Sequence, residues 1–148
     1  MLGKMLSIAA TFHENHKDKG GQPYFLHCLR VMQGLRSSDE ELCCIALGHD
    51  LIEDTVLTAN DLYFVYDFPE RVVDGILSLT KVPGESYNEY KEKVMKNSDA
   101  ILVKMQDLKD NSDITRLKGV TEKDVKRTIR YYNFYLELVA KAKEFKLI

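Results

Sequence analysis

His49 and Asp50, followed four positions on by Glu53 and Asp54, close the run Ala46-Leu47-Gly48-His49-Asp50-Leu51-Ile52-Glu53-Asp54-Thr55. On a continued helix His49 lies beneath Glu53 and Asp50 beneath Asp54, so three carboxylates and an imidazole share one face. Such carboxylates repel one another, and either water or a cation must compensate them. Upstream, His27 sits in the mostly apolar stretch Pro23-Tyr24-Phe25-Leu26-His27-Cys28-Leu29; downstream, Asp107 follows the apolar run that ends Val103-Lys104-Met105-Gln106. Taken singly, these residues also fit a solvated helix end, a satisfied core histidine and a turn-capping aspartate. Taken together, His27, His49, Asp50 and Asp107 offer two imidazoles and two carboxylates, a mixed set that suits manganese, iron or zinc better than calcium or magnesium. A single ion with those four ligands keeps positions open for water and a phosphate oxygen, and leaves Glu53 and Asp54 free for proton transfer.

The elements that must position these residues are helices. Apolar residues recur at helical spacing almost throughout, and strand-like alternation is scarce. Gly20-Gly21 with Pro23, Thr58-Ala59-Asn60-Asp61, Pro69 and Val82-Pro83-Gly84 interrupt the pattern. The spacing predicts helices near 2–16, 24–36, 39–51, 59–66, 69–79, 86–96, 98–109 and 121–144, the last capped by Thr121. Ile101-Leu102-Val103 is ambiguous on propensity alone, and the lack of a partner strand favours helix. Gly84 to Asn88 reads as a surface loop. The expectation is an all-α bundle forming one domain over residues 1–148.

Composition narrows the function classes. The 148 residues are 45% hydrophobic and 30% charged, as in a soluble globular chain, and no stretch approaches the roughly 20 apolar residues that span a bilayer. The formal charge of −2 gives no reason to expect a nucleic-acid polymer as partner, while leaving room for a local basic pocket. The opening Met1 to Ala10 segment reads as an amphipathic first helix rather than a leader, which places the protein in the cytoplasm. Cys28, Cys43 and Cys44 are an odd set without a CxxC pair, and read as buried reduced thiols.

The ordered words around the four residues resemble a known family. Gly21-Gln22-Pro23-Tyr24-Phe25-Leu26-His27 is similar to the "GEPYIxHP" segment of the RelA/SpoT-type alarmone hydrolase domains, within the HD superfamily of metal-dependent phosphohydrolases. His49 to Thr55 resembles their "HDxxEDT", Leu79-Thr80-Lys81 their "xTK", and Val103 to Asn111 their "VKLADRLHN". The resemblance runs from about His13 to the final helix. It implies an HD-domain bundle, a metal, usually Mn²⁺, held by His27, His49, Asp50 and Asp107, and catalytic assistance from Glu53 and Asp54. It further implies substrate contacts from Asn111 and from Lys19 beside the glycine turn. The chain departs from the pattern at Asp18, where arginine is common, at Cys28 in place of proline, and at Asp110 in place of histidine.

The activity implied is a (p)ppGpp 3′-pyrophosphohydrolase-like release of pyrophosphate from a guanosine alarmone by a small stand-alone protein. Another nucleotide in the same site, favoured by Asp18 and Asp110, is the first alternative, and a nucleotide-binding sensor with little turnover the second. Among the remaining cations near Asp107, Lys104 is the best placed to meet a phosphate, ahead of Lys109 and Arg116. Tyr131, Tyr132 and Tyr135 suit core packing or a nucleobase contact, and His13 and His16 read as surface or supporting residues.

Overall fold

A computed structural model describes all of residues 1–148. Eight α-helices follow in order: α1 (Leu2–Phe12), α2 (Tyr24–Gly34), α3 (Glu40–Gly48), α4 (Leu51–Asp54), α5 (Glu70–Leu79), α6 (Tyr87–Met95), α7 (Ser98–Asn111) and α8 (Glu122–Glu144). A π-helical turn, Asp61–Val65, precedes α5, and a 3₁₀ turn, Ile114–Arg116, follows α7. The only β pairing is an isolated bridge between Lys17 and Pro23. The ambiguous Ile101-Leu102-Val103 segment is helical, inside α7.

Helix α3 is the centre of the bundle, because every residue from Leu42 to Gly48 is buried and so needs neighbours on all sides. It has them: α1, α2, α5 and α7 all pack on it. The α3–α5 approach depends on glycine. A β-carbon at Gly75 would come within 2.5 Å of Ile45 Cδ1, and one at Gly48 within 2.8 Å of Ile76 Cδ1. Asp39 caps α3 by accepting from the Glu41 and Leu42 amides, while Arg71 on α5 reaches Asp39, Glu41 and Asp99 and gathers the starts of α3 and α7. Helix α8, opened by a capping box between Thr121 and Asp124, lies on α7 through Phe134, Leu138 and Ala142.

Three expected helices differ, each for a physical reason. The first helix ends at Phe12 rather than 16, since residues 13–23 fold back through the Lys17–Pro23 bridge and a turn at Gly21, whose φ is +83°. The helix through the His49-Asp50 pair does not continue. Asp50 takes φ −105° and ψ 1°, breaking the chain between α3 and the four-residue α4. The 59–66 segment is a π turn, with Thr58 and Asp61 exchanging hydrogen bonds at its start. The loop at Gly84 is shorter than expected, because Ser86 already caps α6. All three cysteines are buried and free. No helix is long and apolar enough to cross a membrane.

Candidate active site

Four side chains from three parts of the bundle meet in its interior. His27 comes from α2, His49 and Asp50 from the α3–α4 break, and Asp107 from the buried face of α7. One donor atom from each of His27, His49 and Asp50 lies within 4.8 Å of the others. Asp107 Oδ1 stands 3.0 Å from His27 Nε2 and 3.5 Å from His49 Nε2, and Asp50 Oδ2 stands 2.8 Å from His49 Nε2. The backbone break at Asp50 turns its carboxylate inward, so that it faces His49 instead of following a helical face.

The far side of each ring fixes where its proton sits. His49 Nδ1 lies 2.7 Å from the Ala46 carbonyl, to which only an N–H can donate. His27 Nδ1 lies 2.6 Å from Asp110 Oδ2. With a proton on each Nδ1, both Nε2 atoms face the carboxylates, where either a second proton or a cation sits, and neither makes an aligned hydrogen bond despite its burial. Lone pairs facing carboxylates repel unless a proton or a cation lies between them. Burial works against the charged form of His49, but Asp50 and Asp107 outweigh it and raise its pKa well above the usual range. Burial likewise opposes ionisation of Asp107, yet Lys104, His27 and His49 hold its carboxyl well below the ordinary value. Burial is outweighed at Asp50 too, where His49 and the Tyr24 hydroxyl hold it at about 2. Two imidazole nitrogens and two ionised carboxylates, with the imidazole protons on the outer nitrogens, fit a divalent transition metal.

The neighbours of Asp107 and Asp50 are now clear. Lys104 Nζ lies 2.6 Å from Asp107 Oδ2 and over the Tyr90 ring, so this lysine is engaged with the Asp107 carboxylate rather than projecting into solvent. Asn111 Nδ2 donates to Asp107 Oδ1 at 2.8 Å, and the Tyr24 hydroxyl donates to Asp50. Glu53 and Asp54 stand on α4 at the solvent side. Glu53 accepts the Lys81 amide at 2.7 Å, which assigns a job to the Leu79-Thr80-Lys81 segment. Burial and the Asp50 charge raise Glu53 against that hydrogen bond, and burial, Asp50 and Glu53 push Asp54 up to about 6.

A cavity of about 280 Å³ opens beside the cluster, with Lys19, Tyr24, Asn111, Arg116, Arg127 and Tyr131 in its wall. The structure thus brings Lys19 and Asn111 to one cavity, and Lys104 to Asp107 instead. Tyr131 faces this cavity, whereas Tyr132 is exposed elsewhere on α8. Sequence reasoning gave no role to Tyr24, Arg30 or Arg127. Tyr24 lay in view within the Pro23 to His27 segment, and Arg127 one helical turn before Tyr131. His13 is not a surface residue: it is 1% exposed, packed between His16 and Tyr24, and burial lowers its pKa to about 4.

No family model matches the chain. Over 89% of its length it is 28% identical to a probable guanosine-3′,5′-bis(diphosphate) 3′-pyrophosphohydrolase of Mycoplasma pneumoniae, of which it covers 21%. It is 31% identical over 84% of its length to the GTP pyrophosphokinase rsh of Brucella melitensis, of which it covers 18%. Among solved structures, a metazoan ortholog of SpoT described as hydrolysing ppGpp superposes with a TM-score of 0.69 at 22% identity, over 99% of this chain and 96% of that one. The chain is similar to one part of each of these curated relatives. It shares the helical fold of the metazoan protein, and it spans about a fifth of the length of the curated relatives it matches.

Proposed function

We propose that residues 1–148 act as one domain, a cation-dependent phosphohydrolase that releases pyrophosphate from a guanosine 3′,5′-bis(diphosphate). The observation that carries the reading is the convergence of two imidazole Nε2 atoms with Asp50 and Asp107 beside the Glu53–Asp54 pair. His27, His49, Asp50 and Asp107 would hold the ion, for which Mn²⁺ is the first choice. Bound there, a divalent cation polarises a phosphoryl oxygen and lowers the pKa of water from roughly 15.7 toward about 7.

The chain's own residues do the rest. Lys104 keeps Asp107 ionised and fixed. Asp54, pushed up to about 6 by burial and its acidic neighbours, exchanges a proton with the attacking water near neutral pH. Glu53, tethered to the Lys81 amide, orients that water. Water adds to the phosphorus on the 3′ oxygen, the bond from phosphorus to that oxygen breaks, and the oxygen takes a proton. The products are GDP and pyrophosphate. Lys19, Asn111 and Tyr131 line the cavity that receives the nucleoside and its remaining phosphates.

Asp18 and Asp110, the departures that favoured a different nucleotide, do not confront the substrate with free negative charge. Both are paired with Arg116, at 2.9 and 3.1 Å. The test is incubation of cation-free, Mn²⁺-loaded and Asp107→Asn protein with ppGpp and with nucleoside mono-, di- and triphosphates, resolving products by ion exchange. GDP and pyrophosphate formed only by the Mn²⁺-loaded wild type are expected. Turnover of monophosphates in preference to ppGpp would overturn the substrate assignment.

A further inference from the structure

The two histidines of the cluster are oriented by unlike partners. His49 Nδ1 leans on a neutral backbone carbonyl, that of Ala46, whereas His27 Nδ1 leans on a carboxylate, Asp110. That carboxylate is itself held from several directions. Arg30 Nε meets Asp110 Oδ1 at 2.7 Å and Arg30 Nη2 meets Oδ2 at 3.1 Å, while Arg116 Nη2 reaches the Asp110 carbonyl at 2.7 Å. Arg116 Nη1 then extends to Asp18 Oδ2 at 2.9 Å, and Asp18 Oδ1 accepts the Gln22 amide at 2.9 Å. Gly20 lies so close to the Arg116 carbonyl that a β-carbon there would collide with it. The turn bearing Lys19 and the helix bearing His27 are therefore joined through two aspartates and one arginine.

We propose that Asp110 is a positioning residue for the cation site: it locks His27 with its proton on Nδ1 and its Nε2 lone pair turned to the ion, and Arg116 and Asp18 fix Asp110 in turn. The inference rests on the cation-site reading above. A full carboxylate makes His27 a stronger donor than a carbonyl would, and second-shell partners of this kind typically change metal affinity about 10–100-fold. An asparagine at 110 would keep the shape, yet its amide could donate to Nδ1 and leave the proton on Nε2, where an ion must bind.

The test measures Mn²⁺ affinity by titration calorimetry on the wild type, Asp110→Ala, Asp110→Asn and Arg30→Ala, with thermal melts in chelator to verify folding. Asp110→Ala and Asp110→Asn are expected to bind about 10–100-fold more weakly. Arg30→Ala, which removes a partner of Asp110 without touching His27, is expected within about 3-fold of wild type, since Arg116 still holds the carboxylate. In the Zn²⁺-loaded protein, the buried His27 Nδ1–H should give a downfield, slowly exchanging proton resonance that Asp110→Asn loses. Wild-type affinity in both Asp110 variants, or equal losses in Arg30→Ala and Asp110→Ala, would reduce Asp110 to an anchor for arginine and overturn the proposal. A wild type that takes up neither ion would remove the cation site, and this inference with it.

Discussion

Asp107 shows why a proposed ligand role and a buried charge must be tested separately. Truncation to alanine removes the ligand and also strands the Lys104 ammonium, 2.6 Å away and 17% exposed, a loss of about 3–5 kcal/mol when a buried pair loses one partner. Asp107→Asn keeps the shape and a hydrogen-bond acceptor, so it should stay folded and lose Mn²⁺ binding by calorimetry; retained binding would remove Asp107 from the ligand set. Asp54 gives a pH prediction. Its pKa is pushed up to about 6 by burial and by Asp50 and Glu53, so the folded protein holds a proton that the unfolded chain releases at lower pH. This group therefore supports the cation-free fold at acid pH, and its contribution fades as pH rises through about 6. Urea midpoints from pH 4 to 8 should show a decline that Asp54→Asn lacks. The four clustered residues were legible because each stands in a short word of fixed spacing. The Asp110–His27 and Asp18–Arg116 contacts were not, since their partners lie 83 and 98 residues apart and no local pattern links them.

Among the elements, α3 does most to place the site, because the His49-Asp50 pair directly follows its last buried residue, Gly48. Its distance from α5 is set by Gly75 against Ile45, a contact with no room for a methyl group. Gly75→Ala should strain this crossing by about 1–3 kcal/mol, more than the roughly 1 kcal/mol that alanine adds in helix propensity. A lower urea midpoint is the expected result. Gly3→Ala is the internal control. It lies in α1 with nothing within 4 Å, and should raise the midpoint. Helical periodicity made nearly every element readable, because their apolar faces are long and their caps are local, as at Asp39, Ser86, Asn97 and Thr121. The break at Asp50 and the early end of α1 were not readable. Both depend on tertiary partners: Asp50 turns inward to accept from the Tyr24 hydroxyl, and Gly20 packs on the distant Arg116 backbone.

At the scale of the whole molecule, a formal charge of −2 conceals a basic surface beside the cavity. Lys19, Lys123, Lys126, Arg127 and Arg130 surround one concavity that shares Lys19, Arg127 and Tyr131 with the cavity at the cluster. Arg127 is paired with Asp124 at 2.6 Å, and Arg130 lies over the Tyr87 and Tyr131 rings. Burial and the nearby Arg127, Lys123 and Arg130 charges lower the pKa of Lys19, the mark of cations crowded without enough counter-charge. On the proposed function, a substrate with phosphates at both ends of its ribose would place one at the His27–His49 cluster and the other on this surface. A nucleoside monophosphate can reach only one of them. The double variant Lys123→Glu and Lys126→Glu should therefore raise KM for ppGpp about 10-fold with little change in kcat, since the lost contacts act on bound substrate and transition state alike. The wild-type KM should rise with salt, and the variant's should rise less, because exposed charges are screened within about 10 Å at 0.1 M ionic strength. Equal salt dependence in the two proteins would place the second phosphate elsewhere.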